Sequence, residues 1–177
     1  MQERKKEMSR TDRVRMYATS AFVEYYKLGC PTKKQYEDYL RNTVYQKLEH
    51  KDPQTIMRVA DTVVYENRAL LADLDAVDKT FSMLYGNIPM AGINRAHALK
   101  NGADVAEAVK GVYFGLHRGK PATKRIHERV VAHSVSVYAD PSTVYRWLAQ
   151  ARALFAVNRG LVMDQDKSID QIIKECE

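Results

Sequence analysis

Cysteine is scarce: the chain carries only Cys30 and Cys176, near its two ends and in no motif. A disulfide framework is thereby excluded as an organising device, and reduced thiols in a cytoplasmic protein are the simplest expectation. The eight glycines form no phosphate-cradling loop; Gly111 and Gly115 fall inside a helical pattern without the Lys-Ser/Thr that such a loop needs. The histidines, His50, His97, His117, His127 and His133, make no His-Glu-x-x-His pattern and pair with no cysteine, so no zinc site is expected. No apolar run approaches the roughly 20 residues that span a bilayer. Met1–Glu7 is of mixed charge with no apolar segment behind it, so neither a membrane partner nor a secretory signal is expected. With no nucleophile, base or metal set readable, the expectation is a non-catalytic protein without a cofactor.

What the chain has is helical periodicity. Apart from Val135-Ser136-Val137 there is no strand-like alternation, and the expected class is all-α. Ser9 or Thr11 is expected to cap a first helix running to about Leu28, with Ala18, Ala21, Phe22 and Tyr25 on one face and Gly29-Cys30-Pro31 as its stop. Thr32 is expected to cap a second helix, with Gln35 supplying half of a capping box. Asp52-Pro53 opens a third helix, expected to be the longest, over 53–84. Its residues Ile56, Ala60, Val63, Asn67, Leu70, Leu74, Val77, Phe81 and Leu84 alternate spacings of four and three, a heptad seam with one polar member. Such a seam either pairs two copies as a homodimer or packs on the first two helices; the second reading is favoured, because those two amphipathic helices need something to cover. Asp73, Asp75 and Asp78 on the same helix read as a solvated face.

Residues 85–103 read as a break containing a short helix near 93–100. A further helix is expected from Asp104 to the neighbourhood of Gly119. The expected organisation is therefore an N-terminal and oligomerisation region over 1–84, a compact helical unit over 104–161, and an acidic tail over 162–177 with five acids against two lysines.

Charge of one sign is concentrated in the middle unit. Residues 110–160 hold nine Lys/Arg against Glu128 and Asp140, whereas the whole chain carries a net +6. Positive charge gathered on one helical unit is the footprint of phosphate contact. Within it, Ile126, Val130, Ser134 and Val137 share a face of one helix. Asp140 can cap a second helix, Pro141 suits its first position, and Gly160 offers a left-handed end, which sets that helix at about 141–159. The short join between the two matches a helix-turn-helix, with Tyr138 standing where many such turns use Gly and His133 where an apolar residue is usual. With Val144, Trp147 and Leu148 inward, Ser142, Tyr145, Arg146 and Ala149 point outward. Arg146 is suited to a guanine edge, and Ser142 to a base edge or a phosphate.

The segment Ser142-Thr143-Val144-Tyr145-Arg146-Trp147-Leu148, followed by Ala151-Arg152 and Leu154-Phe155-Ala156, resembles the ArpU/RinA-type regulators of phage late genes, whose C-terminal part is like region four of sigma factors. Ala108–Phe114 resembles the helix before that unit, and Leu70–Asp78 is similar in style to the family's linker helix. The resemblance covers about 65–161. It implies a transcriptional regulator that binds double-stranded DNA and contacts RNA polymerase, in a phage or an integrated element. On this reading Lys124, Arg125 and Arg129 hold phosphates, Ser142, Tyr145 and Arg146 face the bases with Thr143 also at the DNA, and Arg152 and Arg159 extend the phosphate track. Two other classes fit the pattern less well: a helical adaptor for a partner protein, and a small-terminase-like DNA packaging component.

Overall fold

The computed structural model describes residues 9–86, 101–114 and 123–161. These form seven helices and no strand: α1 (Arg10–Lys27), α2 (Lys33–Lys47), α3 (Pro53–Glu66), α4 (Arg68–Leu84), α5 (Gly102–Tyr113), α6 (Thr123–Ser136) and α7 (Pro141–Arg159). The all-α class is as expected. The short helix expected near 93–100 and the tail 162–177 lie outside the described residues.

Local chemistry explains the helix limits. The Ser9 hydroxyl accepts from the Asp12 amide at the start of α1. Gly29 (φ 82°) and Cys30 (φ 56°) turn the chain left-handed at its end. The capping box of α2 is complete: the Gln35 amide donates to Thr32 Oγ1 at 3.2 Å, and the Thr32 amide donates to Gln35 Oε1 at 2.8 Å. The Asp52 carboxylate accepts from the Thr55 amide, and Pro53 follows it at the first position of α3. The expected cap at Asp104 is displaced. Helix α5 begins at Gly102, and Asp104 sits in its first turn, where a carboxylate suits the positive end of the helix dipole. A Cβ on Gly102 would collide with the Leu84 carbonyl, so glycine is what lets α5 start against the end of α4.

The single long helix over 53–84 is not observed: α3 ends at Glu66, Asn67 is non-helical at φ −89° and ψ 8°, and α4 resumes at Arg68. Two side chains take up backbone carbonyls at this break. Asn67 Nδ2 donates to the Val63 carbonyl at 2.8 Å, and an Arg68 guanidinium N–H donates to the Tyr65 carbonyl at 3.0 Å. The backbone bonds still run through this point, from the Asn67 amide to the Val63 carbonyl at 3.1 Å and from the Leu71 amide to the Asn67 carbonyl at 3.0 Å, so the side-chain amide shares its acceptor with the helix and the break lies in the backbone angles of Asn67.

The two halves of the seam then enter different cores. Ile56 and Ala60 of α3 join Val44 of α2 in a small cluster. Leu74, Val77, Phe81 and Leu84 of α4 join the main cluster with residues of α1, α5, α6 and α7. Phe22 of α1, fully buried, stands at the centre of the main cluster. Its ring lies 6.0 Å from Phe81 of α4, 6.0 Å from Tyr113 of α5 and 5.7 Å from Phe155 of α7. Aromatic pairs at such spacings add to the area they bury. Helices α1 and α4 therefore share one core with α5–α7, and only α2 and α3 keep a core of their own.

Candidate nucleic-acid interface

Helix α5 packs against both α6 and α7, and α6 packs against α7. At Gly111 of α5 an added Cβ would collide with the His133 ring of α6. His133 thus fills a position usual for an apolar side chain because its partner position has no side chain at all. Burial pushes its imidazole below the ordinary histidine range, against the pull of Glu107. Its Nε2 has no hydrogen-bond partner among the described residues. Arg129 of α6 reinforces the same contact: Nε and a terminal N–H donate to the Gly111 carbonyl at 3.3 and 2.9 Å. That carbonyl lies near the C-terminus of α5, where helix acceptors lack intrahelical donors.

The join between α6 and α7 spans Val137–Asp140. The Ala139 amide donates to the Ser134 carbonyl at 3.0 Å and the Tyr138 amide to the Val135 carbonyl at 3.4 Å, the two bonds of a Schellman motif. Tyr138 occupies its left-handed position at φ 52° with the side chain 99% exposed. The turn has the backbone of a glycine turn, carried by a tyrosine that pays for no contact. Ser134 is buried, and its hydroxyl donates to the Val131 carbonyl.

Helix α7 starts where the Asp140 carboxylate accepts from the Ser142 amide at 2.7 Å. The Ser142 hydrogen bonds hold that carboxyl below the usual range, and Arg146 adds to the effect. The helix ends at Gly160 (φ 72°) in a second Schellman pair, Gly160 to Val157 and Leu161 to Ala156. Val144 and Leu148 are fully buried, and Trp147 is half-buried against the main cluster. Ser142, Tyr145 and Arg146 are exposed, and Ala149 and Thr143 are half-buried. An Arg146 terminal N–H donates to Thr143 Oγ1 at 2.9 Å, so Thr143 steadies the guanidinium from one turn back.

The residues expected at the DNA divide into two groups. Arg125, Ser142, Tyr145 and Arg146 are exposed on α6 and the first turns of α7. The side chain of Lys124 lies outside the described residues. Arg152 and Arg159 are not brought to this group. On a helix rising about 1.5 Å per residue, Arg159 is roughly 20 Å along the axis from Arg146. Arg152 is half-buried and donates to the hydroxyl of the buried Tyr113 at 3.2 Å. Arg159 donates from Nε to Asp73 Oδ1 at 2.5 Å, with 24% and 17% of the two side chains exposed. Asp73 is thus no part of a solvated face; Tyr17 donates its hydroxyl to the same carboxylate. Asp75, by contrast, pairs with Lys79 at the surface.

One residue escaped the sequence reading. Exposed His127 on α6 lies with Nδ1 2.9 Å from the Tyr145 hydroxyl of α7, and the two rings stack at 6.3 Å and 14°. Nothing in spacing points to it, because the partners belong to different helices. Among the described residues no helix is long and apolar enough to cross a membrane. Comparison with family models, curated proteins and solved structures found no match to the chain.

Proposed function

We propose that the chain is a sequence-specific, non-catalytic DNA-binding regulator, and that α6 and α7 act as a helix-turn-helix with α5 as its supporting helix. The observation that carries this reading is the first two turns of α7. There Ser142 and Arg146 are exposed beyond a tight turn while Val144 and Leu148 anchor the opposite face in the core. A helix so presented offers hydrogen-bonding side chains to the edges of a major groove. Phosphate contacts are assigned to Lys124 and Arg125, while Arg129 is half-buried and holds the Gly111 carbonyl of α5. Arg152 and Arg159 are given structural roles in place of the phosphate track. The resemblance to ArpU/RinA-type regulators supports a place in late-gene control of a phage or integrated element, with RNA polymerase as a second partner.

Selection of bound sequences from random duplex DNA at about 150 mM salt tests the reading, because nonspecific phosphate binding is already weak there. A recovered motif is the expected outcome. One observation favours a second reading, a helical adaptor: the α2–α3 pair exposes Tyr39 (60%), Met57 (57%) and Tyr65 (64%). The adaptor reading predicts recovery of nothing above background and DNA binding that salt erases.

A further inference from the structure

The His127–Tyr145 pair joins α6 to α7 with both residues exposed, and Tyr145 lies within the same first turns of α7 as the exposed Ser142 and Arg146. The two rings are nearly parallel, and the hydroxyl lies within hydrogen-bond distance of Nδ1. A phenol is a better O–H donor than a neutral imidazole is an N–H donor, so the bond runs from the Tyr145 hydroxyl to Nδ1. In that tautomer Nδ1 accepts and the ring N–H is on Nε2. Two consequences follow. The Tyr145 hydroxyl has committed its proton within the protein and is poorly placed to read a base. The imidazole, held by that bond, presents an N–H donor from the other side of its ring, and that donor can meet only an acceptor.

In a helix-turn-helix the first helix crosses the sugar-phosphate backbone while the second enters the groove. His127 belongs to the first helix of the pair. We propose that His127 contacts DNA through Nε2–H to a phosphate oxygen, and that Tyr145 is its positioning residue and not a reader of bases. The proposal rests on the DNA-binding reading above. It differs from the Lys and Arg contacts in kind: a neutral donor fixes register without displacing a bound cation, so it contributes affinity that salt does not remove.

The test uses the full chain, the duplex recovered by selection, and a random duplex of equal length. His127→Ala is expected to weaken both duplexes alike by about ten-fold or more, the worth of one hydrogen bond to a charged acceptor, with the slope of log affinity against log salt unchanged. Tyr145→Phe is expected to cost a comparable factor alone and nothing further in the His127→Ala background, the mark of a residue acting through another. His127→Gln, which keeps an N–H donor, is expected to recover most of the binding and to be indifferent to Tyr145→Phe. Both side chains are exposed, so melting temperatures should hold and separate these effects from misfolding. Wild-type affinity in His127→Ala overturns the proposal, as do additive losses for the two substitutions. A loss confined to the selected duplex would assign the pair to base reading instead and overturn the phosphate contact. Failure of the wild-type chain to bind any duplex would overturn the DNA-binding reading together with this one, a different result from normal wild-type binding that ignores His127.

Discussion

Arg159, in the last turn of α7, donates from Nε to Asp73 Oδ1 of α4 at 2.5 Å, and Tyr17 of α1 donates its hydroxyl to the same carboxylate at 2.7 Å. Three helices that are far apart in sequence meet at one acid. With 24% and 17% of the pair's side chains exposed, water screens the interaction less than it does an ordinary surface ion pair. Arg159→Ala is therefore expected to cost about 1–2 kcal/mol in urea unfolding, since it leaves a half-buried carboxylate with one donor fewer. Discrimination between DNA sequences should not change. Unaltered stability with a flattened salt dependence of DNA binding would instead return Arg159 to the phosphate track.

The seam residues of α4 face inward within a single chain. Leu74 is 1% exposed and lies in the core shared with α1, α5, α6 and α7. Leu74→Ala should cost about 2–5 kcal/mol, the usual range for a buried leucine, by the same amount at every protein concentration. Loss of stability that grows on dilution would show that this seam joins two copies.

Tyr138 holds a left-handed backbone with its side chain almost wholly in water. A non-glycine residue there costs about 1–2 kcal/mol in backbone strain, offset in part by the greater freedom of an unfolded glycine chain. Tyr138→Gly is expected to stabilise the protein by about 0.5–1 kcal/mol, read as a rise in melting temperature. A fall would mean that the tyrosine side chain contributes a contact after all.

His133 makes stability depend on pH in a stated direction. Burial against α5 lowers its proton affinity in the folded state, while the unfolded chain titrates near the ordinary value of about 6.5. The unfolded state then binds more protons once pH falls below about 6.5. Stability should decline from there until pH passes the lowered folded value, and should be indifferent to this group above 7. Urea unfolding at pH 5 and pH 7.5 checks it: His133→Gln is expected to shrink the difference between the two. An undiminished difference would assign it to other groups.

Much of this architecture is legible from local signals. Asp140-Pro141 and Gly160 mark both ends of α7, because caps act through adjacent backbone and need no tertiary partner. The interruption at Asn67 is hidden, because a heptad pattern reports which face is apolar and is silent on the backbone angles of a single residue within it. The basic character of residues 110–160 is legible as well, but the direction each guanidinium points is not. Arg129 turns to the Gly111 carbonyl, Arg152 to Tyr113 and Arg159 to Asp73, and each acceptor is supplied by a distant part of the chain. His127 and Tyr145 meet for the same reason, across a turn whose geometry, not whose residue type, brings them together.

The most direct test of base reading by α7 compares Arg146→Ala with the wild-type chain on a selected and a scrambled duplex at one salt concentration. Arg146 is exposed, and Thr143 accepts from its guanidinium at 2.9 Å. Loss of about 1–3 kcal/mol of discrimination is predicted, with affinity for the scrambled duplex falling far less. Equal losses on both duplexes would contradict the account and reduce Arg146 to one more phosphate contact.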